Sequence, residues 1–171
     1  MNRTRLASLA GALALAAVSA IGLADAATEP PAAPRQLAVY ELLTRERTHI
    51  YSVSAREIAG IRKQGFRLNR APIGRVWTGP FRGSLTLYRL HLKNRSQWIV
   101  THKAEADKLV AGGQWQLDGV LGYVAGFRMR GTRLLDRFNH RGGDHVIRPH
   151  GADRMMARAG WTKDGPLGYF G

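Results

Sequence analysis

Three stretches of this chain align on a spacing of 48 residues: VYELLTRERTHIYSVSAREIAGIRKQGFRL, LYRLHLKNRSQWIVTHKAEADKLVAGGQWQL and LDRFNHRGGDHVIRPHGADRMMARAGWTKD. Tyr40, Tyr88 and Asp136 keep that offset, as do His49, Gln97 and His145, then Tyr51, Ile99 and Ile147, and then Glu57, Glu105 and Asp153. A unit of this length cannot bury its own apolar face, so the copies must share a core. Within each unit an alternating run such as TLYRLHL reads as a first strand, and HIYSV, QWIVT and HVIR follow within hairpin reach as second strands. Helix formers come next, stopped by glycine, and the chain then returns to the sheet in FRLN with IGRVW and in WQLDG with VLGYV. The expected class is therefore α+β, with three strand-strand-helix-strand repeats closed into a compact pseudo-threefold domain. The units run over about 37–83, 84–131 and 132–171, forming a single domain over 37–171.

The amino terminus reads as an address. Two arginines in MNRTR precede an Ala-rich stretch with no charge before Asp25, and Ala24-Asp25-Ala26 fits the small-x-small step of signal cleavage. Residues 1–26 are expected to be a signal peptide and 27–36 a Pro-rich flexible lead-in, which points to a secreted or periplasmic protein with no stable membrane span after cleavage. The chain has no cysteine, so thiol catalysis and thiolate metal sites are excluded and packing alone must hold the fold. Its formal charge is +14, and removal of Arg3, Arg5 and Asp25 would leave it one lower. Such a charge attracts polyanions: acidic polysaccharide, cell-envelope glycan or nucleic acid.

The run of Asp-Arg-Phe-Asn at 136–139, Gly-Asp-His-Val-Ile at 143–147, an acid in the following helix, then Trp, Asp-Gly and Gly-Tyr resembles a secreted bacterial three-repeat family of unknown function. Its units read Y-R-F-Y-N, T-G-x-H-F-Y-T, a glutamate, G-W and E-G-x-A-x-Y. The resemblance spans nearly all of 37–171 and implies a three-unit domain, attached to exported hydrolases or standing alone after a signal peptide, with no established activity. This chain departs from the pattern at Gln97-Trp98-Ile99-Val100, which lacks the histidine, and around Arg70-Ala71, where the acid-glycine step of Asp118-Gly119 and Asp164-Gly165 is missing.

Three groups of residues stand as site candidates. His49, Gln97 and His145 are placed by their register to face one another as ligand contacts. A metal there is not expected, because no close-spaced ligand pair or carboxylate completes the set. Tyr40, Tyr88 and Trp98, interleaved with Arg89, Asn94 and Arg95, would suit stacking on a sugar or a single nucleic-acid strand. Glu57, Glu105 and Asp153 read as structural: Ser54 caps a helix by accepting from the amide of Glu57, which reaches back to the Ser54 amide, and His102 and His150 replace that serine in the other units.

No G-x-S-x-G elbow, H-E-x-x-H or Walker loop occurs, and no cofactor is implied. The expected function is an exported non-catalytic module that binds cell-envelope glycan or another anionic polymer. The alternatives are a basic nucleic-acid-binding protein and a hydrolase with an unrecognised site. Intact-mass analysis of exported material should give a chain beginning at Ala27, whereas a membrane-bound product keeping Met1 would refute the cleaved signal.

Overall fold

The computed structural model describes residues 34–69 and 71–171. The expected signal peptide, most of the lead-in and residue 70 lie outside them. The described chain runs β1 (Gln36–Leu43), β2 (His49–Ser52), α1 (Ala55–Lys63), β3 (Arg67–Leu68) and β4 (Gly74–Trp77). It continues with β5 (Ser84–Leu92), β6 (Trp98–Thr101), α2 (Lys103–Ala111) and β7 (Trp115–Ala125), then β8 (Arg133–His140), β9 (His145–Pro149), α3 (Asp153–Arg158) and β10 (Trp161–Phe170).

The α+β class is overturned, and with it the body of three repeats about a pseudo-threefold axis. The domain is mostly antiparallel β sheet, sandwich-like, with strand residues well over twice as numerous as helical ones. One reason lies in the helices. They span only six to nine residues; α1 buries none of its side chains, α2 only Ala106 and α3 only Met156. Such helices cover small satellite clusters, Leu90 and Ile99 beneath Ala106, and Phe138 and Val146 beneath Met156, and do not form a layer. The second reason lies in the glycines. Asp118-Gly119 and Asp164-Gly165 look like strand breaks in sequence, yet β7 and β10 run through them as β-bulges, with the ladder register shifting opposite each.

The strands join in the order β2-β1-β4-β7-β10-β8-β9, with β3 on β1 and β5 between β6 and β7. Their inward faces supply the main core of Val39, Val76, Leu87, Val100, Val124, Leu135, Ile147 and Phe170, all nearly inaccessible to solvent. The chain closes on itself at the last residue, where Gly171 and Arg75 exchange backbone hydrogen bonds of 2.8 and 3.0 Å. Among the described residues no helix is long and apolar enough to cross a membrane.

Gly168 shows why the core tolerates no side chain at certain positions. Its φ is +122°, and a Cβ would sit 2.7 Å from Cγ2 of Val124 and 3.0 Å from the carbonyl of Ala125. Gly168→Ala should lower stability by about 2–3 kcal/mol in urea unfolding, because both backbone and packing must yield. Gly60→Ala, in α1 with nothing within 4 Å of the added carbon, should raise it by about 0.5–1 kcal/mol.

Candidate functional site

Three hairpin loops meet at one end of the sheet. Thr48 of the β1–β2 loop donates its hydroxyl to the carbonyl of Ser96 in the β5–β6 loop at 2.5 Å, and Gln97 donates its side-chain amide to the carbonyl of Gly142 in the β8–β9 loop at 2.6 Å. Asp144 completes the junction. Its Oδ1 accepts from the backbone amides of His49 and His145, both at 2.9 Å, and its Oδ2 lies 2.6 Å from Nδ1 of His49. His49, Gln97 and His145 are thus brought to one place, with a buried carboxylate that sequence reasoning passed over between the two histidines. The signal was present in Gly-Asp-His, since the other two hairpins have Thr48 and Gln97 before the second strand.

The three residues are not, however, in equivalent positions. The ladders pair Leu43 with His49, His91 with Trp98 and Asn139 with His145, so Trp98 rather than Gln97 occupies the histidine place in its hairpin. Between the paired residues the β5–β6 hairpin encloses one residue more than the other two, which slips the register that a constant offset implies. The rings at these places pack edge-on against the aromatic that follows a helix elsewhere in the chain: His49 on Trp161 at 5.9 Å, Trp98 on Phe66 and His145 on Trp115, both at 6.4 Å. His145 keeps a buried Nδ1 without a hydrogen-bond partner, and burial, aided by the charge of Arg137, lowers its pKa. Among the described residues no group of three or more histidines and acids is placed to hold a metal.

Tyr40 and Tyr88 do not reach this end. Tyr40 lies across from Ser52, at the far end of β2 from His49, and half-buried Tyr88 packs on the cluster under α2. The matching position in β8 is Asp136, fully buried, whose Oδ2 meets Lys163 Nζ at 2.7 Å and His150 Nδ1 at 2.9 Å.

The acids read as helix caps have a different principal task. Ser54 does accept from the Glu57 amide, at 3.3 Å, but Glu57 does not reach back: the Ser54 amide goes to Ser52 Oγ, and the Glu57 carboxylate takes the Ser52 hydroxyl and both terminal nitrogens of Arg89. Glu105 takes the Thr101 hydroxyl and both terminal nitrogens of Arg137 in the same way, and His102 makes no capping bond. The N-cap of α3 is Ala152, not His150, and Asp153 pairs with Lys163 at 3.0 Å. Each arginine is also gripped from the other side, Arg89 by Asp118 at 2.9 Å and Arg137 by Asp164 at 2.6 Å, and each donates to a carbonyl, of Tyr51 and Val100 respectively. The place of these arginines in β1 is taken by Glu41. There the cation comes instead from β9: Arg148 meets Glu41 at 2.6 Å, beside the Tyr51 hydroxyl and Asn69.

A cysteine-free antiparallel β domain, laced by guanidinium–carboxylate forks around largely buried arginines and ending in three joined hairpin loops, is the class that these features define. The chain belongs to the family described as Domain of unknown function (DUF5648), whose model matches residues 33–170. No curated protein matches it, and no solved structure matches it.

The forks set an acid limit. Burial alone would raise Glu57 and Glu105, and the arginine opposite each, with a hydroxyl, outweighs it and holds both below the ordinary value of 4.5. A carboxylate depressed in the folded chain stabilises it fully above the unfolded value, and that stabilisation is lost as pH falls through the folded one. Thermal midpoints should therefore drop as pH is lowered below about 4.5, and Glu105→Gln should flatten the drop. Arg137→Ala removes the cation shared by half-exposed Glu105 and by Asp164, which keeps Asn139, and should cost about 1–2 kcal/mol, read as a shift in the urea midpoint.

Proposed function

We propose that this chain is an exported, non-catalytic binding module for cell-envelope glycan or another anionic polymer, which it meets with its loop end. The observation that carries this reading is where the acids go. Every described carboxylate except that of Glu46 is engaged by a cation or a histidine, and the cations so used are Arg89, Lys103, Arg137, Arg148 and Lys163. The remaining arginines and lysines have no carboxylate partner among the described residues, so the high net charge is concentrated on the surface. A field of this kind steers polyanions and weakens with salt.

The loop end carries a share of that charge. Arg45, Arg47, Lys93, Arg95 and Arg141 are exposed on the three loops, with Glu46 as the acid among them. Two open hollows of about 490 and 500 Å³ flank the β5–β6 loop and share Asn94 and Arg95, one bounded by Thr48 and Gln97 and the other by Lys93 and Gln114. A polymer lying across this ridge would meet cations on both sides, and several weak contacts along a repeating chain add through effective concentration.

Retention of the purified chain on acidic polysaccharide, peptidoglycan and DNA, each at low and high salt, tests the reading. Binding to the polysaccharide or peptidoglycan should fall with rising salt, and Arg47→Glu with Arg95→Glu should weaken it by about tenfold or more. Retention unchanged by the two reversals would refute the loop end as the contact, and equal retention on DNA would reduce the reading to charge alone.

A further inference from the structure

A groove of different character runs between α1 and β7. Two adjoining hollows, of about 510 and 160 Å³, share Glu57, Arg89 and Asp118. The larger is a shallow groove, wide open to solvent. Its walls include Ile61, Trp98 and Leu117, and Val120 borders the smaller; Leu117 is 46% and Val120 51% exposed, among the largest apolar exposures in the domain. Its polar floor is hydrogen-bonded from both sides. Asp118 is held through Oδ2 by Arg89 and through Oδ1 by Nδ1 of His91, and each oxygen keeps acceptor capacity. Gln116 and His91 add further polar groups at the rim.

We infer that this groove is a second binding site, for a pyranose ring of an uncharged saccharide. The juxtaposition of an aromatic and aliphatic wall with a fixed carboxylate and amide rim matches a sugar ring, which offers apolar C–H faces and a perimeter of hydroxyls. Charge argues against the polyanion here: two carboxylates face one guanidinium, so the groove is the reverse in sign of the surface around it. The corresponding cleft at Glu105, Arg137 and Asp164, of about 180 Å³, matches the smaller hollow in size but is walled differently. Lys163 stands there in the ladder place of Leu117, His145 in that of Trp98, and Pro166 in that of Val120. The two α-helix-flanked clefts have the same ion pair and differ in the groups a sugar face would touch. This inference does not depend on binding of a polyanion at the loop end.

Cellotriose and chitotriose, both uncharged, are the probes, titrated into the isotope-labelled chain at high salt and followed by amide and indole resonances. The expected result is a saturable shift of the Trp98 indole N–H and of the Leu117–Val120 amides with at least one trisaccharide, undiminished by salt. Leu117→Asp and His91→Ala, at exposed or half-exposed positions, should weaken binding by about tenfold with the thermal midpoint unchanged. Trp98→Ala should do the same, and since Trp98 also packs on Phe66, the other two variants decide the matter if it fails to fold. The inference is overturned if neither trisaccharide moves these resonances, if the shifts fall on the loop-end residues instead, or if Leu117→Asp binds as well as the parent chain.

Discussion

Arg89 leaves β5 and enters a slot between α1 and β7, and Arg137 leaves β8 and enters one between α2 and β10. Glu57 and Glu105 are supplied from those helices and Asp118 and Asp164 from those strands, so each guanidinium ties three elements at one point. A buried ion pair is weak evidence of stability, because desolvation offsets most of the attraction. What the forks contribute is direction. The planar guanidinium donates to two carboxylates only along its own edges, and this orients α1 and α2, which bury almost nothing and would otherwise be held by little.

The same arrangement is not used a third time, and the difference shapes the surface. Glu41 stands in the strand place of the arginines, Arg148 crosses from β9 to meet it, and the Tyr51 hydroxyl bridges Glu41 to the amide of Ile147. Asp153, freed from an arginine, is taken by Lys163, which also neutralises buried Asp136. Lys163 therefore occupies a position where β7 presents an exposed leucine. Redistribution of charge inside the domain thus leaves an apolar wall at one cleft and a charged residue in its place at the other.

Charge also connects the interior to the proposed role. Carboxylates are scarce in this chain, and the fold commits nearly all of the described ones to internal or local pairs. The arginines left outside repel one another and lower stability somewhat, while they provide the long-range attraction that a polymer-binding surface needs. The mixed-sign groove beside Trp98 is set apart from that field, which is why the two surfaces are assigned ligands of different chemistry.

Much of this was within reach of the amino-acid sequence. The hairpin starts, the helical segments with their glycine stops and the recurrence of Glu57, Glu105 and Asp153 are local or periodic properties, set by side-chain pattern and backbone freedom. The role of Glu57 and Glu105 was not, because the arginine that answers each lies 32 residues further on, and no local rule links an acid in a helix to a cation in a later strand; Asp153 is answered by Lys163 instead. The meeting of His49 and His145 at one end was legible from their register; that Trp98 rather than Gln97 shares their place was not, since one extra loop residue shifts the pairing without changing the offset in sequence. Nor was the class, because bulges let β7 and β10 continue through glycines that locally read as stops. Sequence alone determined which segments extend, turn or coil, since those choices are made by neighbours along the chain. Tertiary structure decided which charges are buried together, which ring fills which place and where a groove opens, because those depend on contacts between residues that the chain itself keeps far apart.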